Sequence, residues 1–405
     1  MAYQPGRRGG AGGGDSGAAG AIIGILFLCV LLGAFGVAWW TGAVDYAGWW
    51  LTNTTPPTVT LQVPTDAVRG NVTIAAIVGP EGRARPVEVL IDGRPVNAEE
   101  RVAIDTATLP DGPHQISVTA EDYSRGKNRT TVTTALTTDN TPPKLTLESQ
   151  PPRVLQGRTW VLRIRTNEPA AVDARLGGRD LPIEAGNGYG WAVVGFGPNS
   201  DPATVAVVVV GRDPAGNQTE VTESVQVAAE GFPRDEVDVP AQLAALLQSD
   251  IRTDEDRTLL AHYQSVSQPR LWEGRFLMPV TGPVITDFGM LRSYNNGPVV
   301  GHHAGADIAV GAGRQVVAPA RGRVKVVDEV RLRGKIVILD HGLGVYTTYA
   351  HLSVIDVQVG QTVERGQPFA KVGSTGLSAG PHLHWEMWVG GQNVNPLEWT
   401  ERDVP

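Results

Sequence analysis

With 405 residues, the chain exceeds what one ordinary hydrophobic core organises, which implies two to four domains. A formal charge of -8 without any basic face excludes a nucleic-acid binder. Cys29 is the single cysteine, which rules out an intrachain disulfide and a cysteine-based zinc site.

Residues 1–17 form a Gly- and Ala-rich tail, expected to be disordered and cytoplasmic. Residues 18–40 are apolar apart from glycines, long enough to cross a bilayer as one helix. Arg7 and Arg8 precede that segment, and no Lys or Arg follows until Arg69. The positive-inside rule therefore predicts a single-pass cell-membrane anchor, with the N-terminus cytoplasmic and the remaining domains extracytoplasmic. Trp39, Trp40, Trp49 and Trp50 fit an interfacial belt. A cleavable signal peptide fits less well, because Ala38-Trp39-Trp40 is bulky where a cleavage site needs small residues.

A repeat organises the middle of the chain. Thr55-Pro56-Pro57-Thr58-Val59-Thr60-Leu61 recurs as Thr141-Pro142-Pro143-Lys144-Leu145-Thr146-Leu147, and each unit later carries an Asp-containing turn, around Asp122 and Asp213. Short alternating runs separated by Asp92-Gly93 and Asp111-Gly112 predict antiparallel sandwiches at 55–140 and 141–228. They resemble bacterial immunoglobulin-like modules, and are read as spacers rather than binders because no exposed aromatic cluster or metal-ligand run is evident. Partners in the cell wall or the division machinery would meet the chain through these modules.

Residues 229–272 read as a helical linker. Leu243, Leu246, Leu247 and Ile251 fall on one helical face, and Thr253 with Asp256 resembles a capping box that opens a second short helix.

From 273 to 400 the sequence turns to short β runs broken by glycine, such as Lys335-Ile336-Val337-Ile338-Leu339, which predicts an antiparallel all-β domain. The whole chain is thus expected to be mainly β. Of the 8 histidines, all but His114 and His262 fall between His302 and His384. Side chains two apart on a strand share a face, so His382, His384 and Glu386 point one way while Leu383, Trp385 and Met387 point the other. His303-x-x-x-Asp307 and a His-x-His triplet are each weak signals. Their joint occurrence with Tyr349-Ala350-His351 in one domain makes these histidines and Asp307 a candidate metal site, since imidazole and carboxylate suit Zn²⁺. His302 competes with His303, His341 reads as structural, and Glu386, Arg292, Tyr294 and Asn295 are candidate supporting residues.

Taken together, Phe288-Gly289, His303 to Ile308, Ala318 to Gly322, Asp340 to Gly344, Tyr349 to Leu352, Val359 to Val363, Gly373 to Gly376 and Gly380 to Glu386 resemble the lysostaphin-type, LytM-like zinc metallopeptidases, which cut peptide bonds in bacterial peptidoglycan. The resemblance implies that His303, Asp307 and His384 hold one Zn²⁺ per chain and that His351 and His382 line the reaction site. It also implies an endopeptidase acting on stem peptides or cross-bridges, and the occupied positions argue against the degenerate relatives that only activate other hydrolases. A non-catalytic activator of another wall hydrolase and an adhesin built on the sandwiches are the alternative functions.

Overall fold

The computed structural model describes residues 30–34, 36–37, 42–150, 152–186 and 188–404. The expected tail and most of the segment 18–40 lie outside these residues. Among the described residues no helix is long and apolar enough to cross a membrane. Trp49 and Trp50, expected at a membrane interface, sit on the helix Ala43–Thr52. The Arg83 guanidinium lies 5.1 Å from the Trp49 ring and the Trp50 carbonyl accepts from Arg125 N at 2.8 Å.

The chain divides into two compact units, 1–140 and 141–405. In the first, a three-stranded and a four-stranded antiparallel sheet enclose Ile74, Val89, Val102, Ile116, Val118 and Leu136. Alternation of buried and exposed residues along Gly112–Asp122 and Ala84–Ile91 turns one face of each strand inward. The repeated Asp turn closes the last hairpin: Asp122 Oδ1 accepts from Ser124 N and Asn128 N, both at 3.1 Å. In the second unit Asp213 Oδ1 accepts from Asn217 N at 2.8 Å, so the repeated residues make the same kind of staple.

The second unit opens with another two-sheet sandwich around Trp160, Leu162, Val194, Val207 and Val225. It is not an independent spacer. The strand Tyr189–Phe196 is buried on both faces, and Val161, Trp191 and Val193 share a core with Trp272, Phe276, Met387, Val389 and Trp399 of the C-terminal domain. Trp399 Nε1 donates to Thr159 Oγ1 at 2.9 Å, and Arg402 Nη2 to Thr159 O at 2.6 Å.

The linker departs from expectation in three places. Arg234–Val237 is a strand, pairing in parallel with Leu291–Tyr294. The leucines of 241–247 lie on a 3₁₀ segment, broken at Gln248, whose extended backbone precedes an α-helix over Ser249–Tyr263. Thr253 does not cap that helix: its hydroxyl donates to Ser249 O one turn back at 2.8 Å, and Asp256 is drawn to Arg333 instead. The helix docks on the C-terminal domain through Tyr263, which stacks on Trp388 at 4.2 Å and bonds Thr348 Oγ1 at 2.7 Å.

The C-terminal domain is built on a ten-stranded sheet whose strand pairs are all antiparallel, while its strands Leu291–Tyr294 and Val299–His302 form a separate three-stranded sheet with the linker strand. His382–Val389 lies between Ala306–Ala309 and Val345–Ile355, in a register that sets His384 opposite both Asp307 and Ala350. Leu383, Trp385 and Met387 are fully buried in the core on the other face, as the alternation requires.

Candidate metal centre

Three elements deliver the centre. His303 follows the strand Val299–His302, Asp307 lies on the next strand, and His384 is its cross-strand neighbour. The turn between His303 and Asp307 passes so close to the neighbouring strand that a Cβ on Gly305 would lie 2.3 Å from Trp385 O. Only glycine fits there, which explains the spacing of the two donors.

All three residues are buried, and their donor atoms converge. His303 Nε2 lies 3.1 Å from Asp307 Oδ1 and 3.1 Å from His384 Nδ1, which is itself 2.7 Å from Asp307 Oδ1. The far ring nitrogens fix the tautomers: His303 Nδ1 donates to Asp287 O at 2.9 Å and His384 Nε2 to Glu386 Oε1 at 3.1 Å. With those protons placed, each neutral imidazole turns a bare lone pair toward the carboxylate. Three lone-pair donors facing one point call for a cation. Zinc bonds of about 2.0–2.2 Å in tetrahedral arrangement place ligand atoms roughly 3.3–3.6 Å apart, somewhat wider than the 2.7–3.1 Å that these residues show.

The surrounding charges agree. Burial alone would raise the Asp307 pKa, but the His303 and His384 imidazoles hold it well below the usual carboxylate range. Burial also works against a charge on His384, yet hydrogen bonds to Asp307 and Glu386 outweigh it and raise the pKa to about 9. His303, where burial dominates, is lowered.

A supporting network extends behind the donors. Glu386 Oε1 also accepts from Arg333 Nε at 2.6 Å, and Arg333 Nη1 reaches Glu255 and Asp256 of the docked helix at 3.1 and 2.9 Å. On the other side Arg292 Nη2 lies 3.6 Å from Asp307 Oδ2, while its Nη1 pairs with Asp235 of the linker strand at 3.2 Å.

His351 and His382 stand beside this cluster, their rings 4.7 Å apart. His351 reaches the site through a β-bulge: between the pairs Lys335–Leu352 and Val337–Tyr349, the single residue Ile336 faces the two residues Ala350 and His351, and His351 itself has φ 57. A non-glycine residue in the left-handed region is costly and is found where a side chain must be re-aimed. Its Nδ1 donates to Thr375 O at 2.8 Å, and burial, then His382 and His384, lower its pKa to about 3. His382 Nδ1 donates to Gly380 O at 2.9 Å, leaving Nε2 3.7 Å from Asp307 Oδ1. Both imidazoles therefore present an unprotonated Nε2 to a cleft of about 570 Å³.

The other candidates sort differently. His302 lines the cleft but lies outside the donor cluster, its ring 5.2 Å from Phe232. His341 is structural, between Arg321 O and Thr347 Oγ1. Asn295 Oδ1 accepts from Val239 N and tethers the linker. Arg333, Glu255 and Asp235 are not distinguished in the sequence, where nothing separates them from solvent-facing charges.

The sequence profile of Peptidase family M23 matches residues 301–396. The chain is 46% identical over 104 residues to an uncharacterized metalloprotease of Haemophilus influenzae, covering 25% of this chain and 22% of that protein. It is 39% identical over 99 residues to the peptidoglycan DD-endopeptidase ShyA of Vibrio cholerae, covering 24% and 23% respectively. It is 32% identical over 152 residues to the murein hydrolase activator EnvC of Escherichia coli, covering 37% and 34%. The chain therefore spans about a third or less of these relatives' lengths. Buried donors converging on one point and a matching profile over the same residues lead to one conclusion: the C-terminal part of this chain is a Peptidase family M23 domain of the lysostaphin and LytM type.

Proposed function

We propose that the protein is a membrane-anchored, extracytoplasmic zinc metalloendopeptidase that hydrolyses peptide bonds in cell-wall peptidoglycan. The observation that carries this reading is the convergence of His303 Nε2, Asp307 Oδ1 and His384 Nδ1, three lone-pair donors with no proton among them when the imidazoles are neutral. Their chemistry fits Zn²⁺, and His303, Asp307 and His384 are the residues that would hold it. Held by these residues, zinc would polarise a peptide carbonyl and lower the pKa of water toward about 7.

The protein's own part is proton handling. His351 and His382 each carry their Nδ1 proton away from the cleft; because burial and the neighbouring imidazoles resist a charge on His351, His382 Nε2 is the better placed to accept a proton from the attacking water, with His351 Nε2 accepting a hydrogen bond beside it. The imidazolium so formed faces the cleft, where it supports a developing oxyanion and then supplies the leaving amine. Glu386 keeps His384 in the tautomer that turns Nδ1 inward.

The apolar segment 18–40 would serve as the tether, and the sandwiches, read as immunoglobulin-like, would set the reach and offer surfaces to wall or division proteins. A non-catalytic activator of another hydrolase is the weaker reading, because such a role does not need buried imidazoles held in ligand tautomers.

The test is mass spectrometry of muropeptides released from purified peptidoglycan by the full-length protein in detergent with zinc. The expected result is cleaved stem peptides or cross-bridges, absent with His382→Ala. Identical fragments from both proteins would remove the catalytic assignment.

A further inference from the structure

Building on the peptidase reading, we propose that Arg252 forms a carboxylate-binding subsite, so that preferred substrates carry a free carboxylate one or two residues from the cleaved bond. Three arginines line the cleft: Arg252, Arg292 and Arg333. Two are committed to carboxylates, Arg292 to Asp235 and Asp307, Arg333 to Glu255, Asp256 and Glu386. Arg252 has no carboxylate within ion-pair distance among the described residues. Most of the nearby acids are engaged elsewhere: Asp256 holds Arg333, Asp235 holds Arg292, and Glu236 is taken by Ser293, Asn296 and Arg234, while Asp238, which also lines the cleft, is exposed to solvent and lies beyond ion-pair distance of Arg252.

What Arg252 does contact fixes its orientation. Its guanidinium lies 5.5 Å from the centre of the Tyr294 ring, and Nη2 donates to the Tyr294 hydroxyl at 2.9 Å. A guanidinium carries five N–H donors in a planar fork matched to a carboxylate, and an aromatic platform preorganises that fork. Most of those donors remain unused here.

Its place along the cleft follows from the strand beside it. Arg292 and Tyr294 are two apart on Leu291–Tyr294, so their side chains share a face about 7 Å apart. Arg292 touches the metal-site carboxylate of Asp307, so Arg252 on Tyr294 stands one step farther from the donors. A Cβ built on Gly301, two residues before His303, would lie 3.9 Å from Arg252 Nη1, which sets the same proximity independently. An extended peptide advances about 3.4 Å per residue, hence one or two residues between the cleaved bond and the recognised carboxylate. Arg252 lies outside residues 301–396, so in this proposal the linker helix adds a recognition element from beyond the matched profile.

The experiment uses the full-length, zinc-loaded protein and a purified cross-linked muropeptide dimer, with free carboxylates or after amidation with ammonia and carbodiimide. The wild type is expected to prefer the free acid by roughly tenfold to a hundredfold in kcat/KM, the range of a charge-assisted bidentate contact. Arg252→Gln should bring the acid-to-amide ratio near one, and Arg252→Lys should recover part of it. Tyr294→Leu, which removes the platform and keeps the charge, should also lower the ratio. An unchanged ratio in Arg252→Gln, or no preference in the wild type, would overturn the proposal. Calorimetric binding of both dimers to His382→Ala, with and without Arg252→Gln, separates the two readings. Acid-selective binding that depends on Arg252, without cleavage by the wild type, would refute the hydrolase and keep the subsite. Cleavage without acid selectivity would do the reverse.

Discussion

Glu386 and Arg333 meet at 2.6 Å behind the donor cluster, and the oxygen that accepts from Arg333 is the one that holds His384. The positions of a candidate metal ligand and of the linker helix are therefore joined through one carboxylate. Glu386→Gln should weaken zinc retention about 10- to 100-fold, since outer partners of ligating histidines contribute on that scale. Zinc content after dialysis against graded chelator measures it, and wild-type retention would remove Glu386 from the site. Arg333→Met should destabilise the fold by about 3–5 kcal/mol, because it strands buried carboxylates.

Ligands and proton carriers should separate cleanly. His303→Ala, Asp307→Ala and His384→Ala are each expected to lose bound zinc. His351→Ala and His382→Ala should keep it while losing about 10²–10⁴-fold in turnover. Metal analysis beside muropeptide release gives both readouts, and zinc retained by Asp307→Ala would contradict the ligand assignment.

His341 should make the domain acid-sensitive. It is fully buried, donates from Nδ1 to Arg321 O, accepts at Nε2 from Thr347, and burial lowers its pKa to about 4. Below the ordinary histidine pKa near 6.5 the unfolded chain takes up a proton that the folded one refuses, so its contribution is complete above about 6.5 and falls as the pH drops toward 4. The loss over that window is about 3 kcal/mol. Denaturant unfolding of the wild type and His341→Gln at several pH values checks it: the mutant should show a flatter profile between pH 6.5 and 4.

Gly305→Ala should disturb the donors at close range, since the added methyl would also lie 3.1 Å from His384 Cε1. The added methyl would meet Trp385 O at 2.3 Å and force the His303 to Asp307 turn away from the strand that carries His384. Reduced zinc retention together with a lowered melting temperature is expected; a variant that binds zinc as the wild type does would show that the turn can relax.

Trp191→Ala should destabilise the whole second unit by about 3–5 kcal/mol, because its ring packs 6.1 Å from Trp272 in the core that the sandwich and the C-terminal domain share. Calorimetry should show residues 141–405 melting in one shifted transition. A shift confined to a sandwich transition would mean that the two parts unfold separately.

How far the sequence reveals the site depends on the range of the signal. The His-Leu-His alternation is local, so the shared face of His382, His384 and Glu386 is readable from the order of residues alone. His351 is recognisable only by family resemblance, because the bulge that re-aims it leaves no periodic trace. Arg333, Glu255 and Asp235 acquire their roles from long-range pairing, and as isolated charges they look like solvent-facing ones. The linker helix is legible as a helix but its start is not, because Asp256 answers to Arg333 rather than to a cap. The shared core does leave a hint: Gly190-Trp191-Ala192-Val193-Val194 is apolar without alternation, as befits a strand covered on both sides.

That double coverage changes what counts as the transferable module. Cutting the gene at residue 229 would expose Trp272, Phe276 and Trp399 along an open apolar seam, and graft onto any new carrier a surface prone to stick to its own copies. Exchange of this C-terminal part between proteins, by recombination or by design, has to carry everything from Thr141 onward, well beyond the stretch that the family profile marks.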